Sequence, residues 1–154
     1  MSGTVIVRAT GACYLVCAGV GTWIAVRDHL PASFAGWDLA TDSVFRDFLI
    51  GPGTALSAPF ALLLLLLTLL ILAGRPDAIG RTALFLLAAL ALGFVVGMVG
   101  EPIAHDVLTS PADHSDRTVI VALNIALPVL MLATILGSLA RRPPRRASAM
   151  MNPK

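Results

Sequence analysis

Charge is what this chain has least of. Only 13% of its 154 residues are Asp, Glu, Lys or Arg, against roughly a quarter in a soluble domain, while 57% are apolar and the mean hydropathy is +0.87. A water-exposed surface over most of the molecule is thereby excluded. Alternating polarity is missing too. Leu62–Leu72 has no period-two pattern, so a membrane β-barrel, whose strands require one, is excluded. A nucleic-acid partner is excluded as well, because the net charge of +2 and the pI near 8.9 come from basic residues gathered at segment ends, leaving no basic face. Cysteine is scarce: Cys13 and Cys17 stand one helical turn apart, form no CxxC pair, and read as small packing residues. No HExxH, GxSxG, P-loop or dinucleotide fingerprint occurs, so neither a metal nor a cofactor is expected.

What is present is four uncharged apolar runs, Ala9–Val26, Ala55–Ala73, Thr82–Gly100 and Thr118–Ala140, each near the ~20 residues a helix needs to cross hydrocarbon. The expected fold is all-α, an integral membrane four-helix bundle over residues 1–140, with the lipid bilayer as its first partner and a basic tail over 141–154. Charge then orients the chain. Arg8, Arg75, Arg81, Arg141, Arg142, Arg145, Arg146 and Lys154 share their segments with a single acid, Asp77. The other side holds Arg27, Arg46 and Arg117 with Asp28, Asp38, Asp42, Asp47, Glu101, Asp106, Asp113 and Asp116. By the positive-inside rule both termini are cytoplasmic in a cell membrane, and the tail reads as an anchor on anionic lipid. The first run exceeds a signal-peptide core of 7–15 residues and is expected to be retained.

In the first outer loop Thr41, Asp42 and Ser43 offer N-caps, Val44, Phe45, Phe48 and Leu49 share one face, and Gly51-Pro52 stops the run. This predicts a short interfacial helix. Trp23, Phe34 and Trp37 suit an aromatic belt at headgroup level. Gly93 and Gly97 form a GxxxG pair, read first as a close helix contact within the bundle and second as a contact with another copy or a membrane partner. Pro128 lies four residues after Asn124, which predicts a kink. Asn124 is the sole amide in any span. It either hydrogen-bonds a neighbouring helix, the commoner use, or faces a ligand.

The ionisable candidates sit at the outer ends of the spans. Glu101 and His105 are spaced i and i+4 and share a face if the third helix continues past Pro102, with Asp106 beside them; Asp28 and His29 close the first span at the same level. Such groups suit general acid–base chemistry, which makes His105, Glu101 and His29 the catalytic candidates. Asn124, Asp28 and Trp37 are the substrate-binding candidates. The competing reading of each histidine is a rim residue that touches headgroups or water. Asp113-His114-Ser115-Asp116 reads as a solvated turn.

Leu30-Pro31-Ala32 follows the first span, Phe48 to Pro52 leads into the second, and Gly100-Glu101-Pro102-Ile103-Ala104 follows the third. In this order of features the chain resembles the anthrone-oxygenase-like family of small four-helix membrane proteins. The resemblance implies oxidation of a flat, hydrophobic aromatic by O₂ without a bound organic cofactor, and a base to form the electron-rich anion. His105, Glu101 and His29 are assigned to that role by location. Two other classes compete: an accessory subunit that packs Gly93 and Gly97 against a larger membrane partner, and a small transporter, for which no ionisable residue lies mid-span. An enzyme requires an apolar pocket near the outer leaflet where at least two of His29, Glu101, His105 and Asn124 converge; a subunit requires none.

Overall fold

A computed structural model describes residues 3–34, 37–38, 41, 43–110 and 115–140. Its elements are helix α1 (Gly3–Arg27), strands β1 (Ser33–Phe34) and β2 (Trp37–Asp38), and helices α2 (Val44–Ile50), α3 (Phe60–Leu72), α4 (Ala78–Gly100), α5 (Pro102–Thr109) and α6 (Ser115–Ala140). The strands form a two-residue antiparallel pair that the sequence did not suggest. Three helices, α1, α4 and α6, are long and apolar enough to cross a membrane. The basic tail, Asp42 and residues 111–114 lie outside the described residues, and with them the expected anchor and half of the expected solvated turn.

The long helices are apolar on every side. Val16, Trp23, Phe85, Val96, Leu130 and Leu136 are exposed, while each helix also buries an apolar stripe. A helix hydrophobic all round belongs in an apolar surrounding. The buried stripes fall at three- and four-residue steps: Val7, Tyr14 and Ala18 on α1, Leu63, Leu66 and Leu70 on α3, Leu84, Leu87, Ala91 and Phe94 on α4, Met131 and Ile135 on α6. That spacing puts each set on one face. The four helices meet there, with α6 against α1 and α4, and α3 against the same two. A second cluster is built around Ile24, Leu56, Met98, Val107 and Val121.

Helix α3 departs from expectation. It has 13 residues and spans about 20 Å, against the ~30 Å of a bilayer core. It begins after Pro59 rather than at Ala55. A helix starting at Ala55 would put Pro59 where an N–H is needed, and would force Ala58 into the α region that a following proline disfavours. Residues 51–59 run as irregular chain instead, with 53–57 buried and Gly53 at φ 104°, the left-handed region that favours glycine. Buried irregular backbone survives only if its polar groups are satisfied by protein. Here Thr54 N–H donates to Ser57 O (2.9 Å), Ser57 N–H to Thr54 O (3.2 Å) and Ala55 N–H to Leu30 O (3.4 Å). Asn124 Nδ2 donates to Leu56 O at 2.9 Å. The same carbonyl presses on α1 at Gly21, where a Cβ would lie 2.5 Å from it. An amide on α6 and a missing side chain on α1 thus dock this segment.

The loop between α1 and α3 carries the expected short helix. Ser43 Oγ caps α2 by accepting from Arg46 N–H at 3.4 Å, and Phe48 packs on Phe60 with ring centroids 5.7 Å apart. Asp47, buried, accepts from Thr41 N–H (2.8 Å) and Thr41 Oγ1 (2.6 Å), which fastens the loop entering the helix. Helix α4 does not continue through Pro102. Glu101 takes an extended conformation (φ −76°, ψ 128°), capping α4 on one side and α5 on the other. Proline, with no N–H to give, begins the new helix where none is needed.

A cavity between the docked segment and the helices

Where residues 52–59 cross the helices they leave a cavity of about 280 Å³. Its walls are mostly apolar, with Leu62 of α3, Leu90, Phe94 and Met98 of α4, and Leu56 of the docked segment among them. Its polar groups are few: Tyr14, Thr54, Ser57, Glu101 and Asn124. Apolar walls with a few placed polar groups describe a small-molecule site.

Asn124 comes from α6, is 2% exposed, and spends its amide N–H on Leu56 O. Its Oδ1 is buried without a hydrogen-bond partner. Such an orphan acceptor is rare in a folded protein and marks a place where a donor is wanted. Asn124 thus makes the hydrogen bond expected of it, to irregular backbone rather than to a neighbouring helix, and lines the cavity.

Glu101 is placed at the rim by the break before Pro102. Its Oε2 accepts from Ser33 N–H at 3.1 Å and from Ser33 Oγ at 3.4 Å. Oε1 has no partner among the described residues. Burial pushes the carboxyl up to about 7, against the opposing pull of the two Ser33 bonds. A carboxylate poised near neutrality is suited to take a proton from a weak acid.

Tyr14, on α1, forms part of the cavity wall. It is 3% exposed, stacks on Phe94 with centroids 4.8 Å apart and planes 20° apart, and its hydroxyl makes no hydrogen bond among the described residues. The available signal was its being the only tyrosine in the chain and lying inside an apolar run, since a buried phenol normally finds a partner. The docked segment itself had no signal beyond Pro52 and Pro59.

The other candidates lie elsewhere. His105 is exposed on α5, off any helix face shared with Glu101. His29 is exposed and adopts φ 52°, closing α1 while Leu30 N–H reaches Ala25 O at 2.8 Å, a Schellman-type ending that usually takes glycine. Asp28 accepts from Arg27 Nε (2.7 Å) and from Arg117 (3.0 Å). These partners, Arg27 foremost, hold its carboxyl below the usual range. Trp37 is 76% exposed on β2. Of the six, only Glu101 and Asn124 meet at the cavity.

Gly93 and Gly97 do not make the close helix approach expected within the bundle. A Cβ at either would meet nothing within 4 Å, and both line the cavity. Among the described residues no group of three or more His, Cys, Asp or Glu side chains is arranged to hold a metal. The arrangement can seat a lipophilic molecule, accept a hydrogen bond from it, and remove a proton. The chain matches no family model, no curated protein and no solved structure.

Proposed function

We propose that the chain is a four-helix membrane protein with both termini cytoplasmic, and that it binds a hydrophobic aromatic small molecule in this cavity and oxidises it with O₂. Helix α3 completes the fourth crossing together with the docked segment above it. The observation that carries the reading is the pairing of Glu101 and Asn124 at one apolar cavity. Glu101 is the base. Its Oε1 takes a proton from an activated CH₂ of the substrate, Ser33 holds the other oxygen still, and the resulting carbanion reacts with O₂. Carbon–oxygen bond formation, return of the proton and loss of water turn CH₂ into C=O, so that R₂CH₂ + O₂ gives R₂C=O + H₂O. The apolar walls exclude bulk water that would otherwise reprotonate the carbanion. Resemblance to the anthrone-oxygenase-like family supports the same chemistry.

Dioxygen uptake tests it, with protein in phosphatidylcholine nanodiscs and 1,8-dihydroxyanthrone as probe. Loss of a general base costs on the order of 10²–10⁴ in rate. Glu101→Gln is expected to fall to the rate of empty nanodiscs, while His105→Ala keeps the unaltered rate. Equal rates for Glu101→Gln and the unaltered protein refute the assignment.

A further inference from the structure

The cavity is partly open, and two of its lining residues, Gly93 and Gly97, lie on α4, a helix long and apolar enough to cross a membrane. Gly93 is exposed, Gly97 is half-buried, and no neighbouring atom fills the space a side chain would take at either. They stand seven and three residues before Gly100, where α4 ends. At ~1.5 Å per residue the notch lies about 5 to 10 Å below that end. The residues preceding the two glycines on α4, Leu92 and Val96, are exposed apolar side chains, and so is Leu62 of α3, which lines the cavity. An opening at this depth with such a rim meets acyl chains rather than water. Beyond it is the 2%-exposed amide of Asn124, whose Oδ1 lacks a donor.

We propose that the Gly93–Gly97 notch is a lateral mouth through which a neutral, lipid-dissolved molecule bearing a hydroxyl reaches the cavity from the bilayer, its hydroxyl donating to Asn124 Oδ1. This rests on the cavity being the binding site and adds the chemical class of its ligand and its way in. The ligand is neutral because a fixed charge would be desolvated among apolar walls. It carries a donor because two of the unpartnered oxygens at the cavity, Asn124 Oδ1 and Glu101 Oε1, are purely acceptors when the carboxylate is ionised. A hydroxyl also accepts, which suits the unpaired phenol of Tyr14.

The test uses 2-naphthol and its methyl ether, 2-methoxynaphthalene, with bound probe measured by equilibrium dialysis against nanodiscs with and without protein. The pair has the same ring system, and only the first donates. Satisfying one buried acceptor gives roughly a tenfold preference or more. The unaltered protein is therefore expected to bind the naphthol at least about tenfold tighter, and Asn124→Leu to lose most of that preference. Gly93→Leu and Gly97→Leu are expected to weaken naphthol binding strongly without loss of helicity or of thermal stability, since a Cβ at either position meets nothing within 4 Å and glycine is the poorer helix former. Equal binding of the two probes overturns the donor assignment, and this comparison stays decisive if Asn124→Leu does not fold. Unweakened binding in the Gly93→Leu, Gly97→Leu double variant overturns the mouth. So does conversion of a dimer to a monomer by that variant, which would make the notch a helix contact. Glu101→Gln separates the two proposals: naphthol preference with turnover retained in this variant refutes the base alone, and loss of its turnover when the unaltered protein shows no naphthol preference refutes this inference alone.

Discussion

Gly19 and Gly21 lie two residues apart on α1, and alanine at the two positions is expected to act in opposite directions. Gly19 is exposed, and a Cβ there meets nothing within 4 Å. Gly19→Ala is therefore stabilising by up to about 1 kcal/mol, the helix-propensity difference between the two residues. At Gly21 the same Cβ lies 2.5 Å from Leu56 O and 3.3 Å from Leu56 C. A carbon–oxygen contact relaxes to about 3.3 Å or more, so the docked segment must withdraw by roughly 0.8 Å. That displacement takes Leu56 O away from Asn124 Nδ2, now at 2.9 Å, beyond hydrogen-bonding range. A buried carbonyl left unpaired costs about 1–3 kcal/mol. The propensity gain is common to both variants, so the difference between them isolates the docking contact at about 1–3 kcal/mol. Unfolding in mixed micelles with increasing dodecyl sulfate measures it. Two variants within about 0.5 kcal/mol of each other, the usual spread for neutral surface changes, would refute the docking of Leu56 on α1.

Three further outcomes follow from the same geometry. The folded-state pKa of Glu101 is raised from its ordinary 4.5 to about 7, so the folded chain holds more protons than the unfolded one across that window. Stability is then fullest below about 4.5 and falls as pH rises towards about 7; Glu101→Gln is expected to flatten that slope, and an unchanged slope in urea or dodecyl sulfate titrations at several pH values would contradict it. His29 holds φ 52°, a conformation that costs a residue with a Cβ about 1–2 kcal/mol. His29→Gly should raise the unfolding midpoint and leave dioxygen uptake intact, and a lowered midpoint argues against the helix-ending role. Asp47→Ala removes both bonds to Thr41 and is expected to destabilise by about 1–3 kcal/mol, read as faster proteolysis of the outer loop; unchanged cleavage would contradict the latch.

The apolar character of the chain and the three helices long and apolar enough to cross a membrane were legible because they are properties of long runs. Twenty uncharged residues have one economical conformation in lipid, whatever their neighbours. Helix α2 was legible for the local reason that Ser43 and Gly51 are start and stop signals, respectively, in themselves. The cavity was not, because it depends on a segment that reads as the start of an apolar span. Only Pro59 separates the two outcomes, and the buried path of 53–57 requires Gly21 and Asn124, dozens of residues away in sequence. Glu101 was chosen from sequence for its presumed partnership with His105, which Pro102 breaks; its actual neighbour is Ser33 on a two-residue strand. Asn124 was recognisable because an amide inside a span must find a partner, although which partner is a matter of tertiary packing.

The central claim is that Glu101 acts as a base of near-neutral pKa on a molecule held in an apolar cavity. The pH dependence of dioxygen uptake tests it most directly, measured from pH 5 to 9 on the unaltered protein and on Ser33→Ala. The account predicts a rate that rises with a midpoint near 7 in the first, and a midpoint moved to higher pH in the second, because the Ser33 hydroxyl favours the ionised carboxylate. A profile without that limb, or one that Ser33→Ala moves to lower pH, would contradict it.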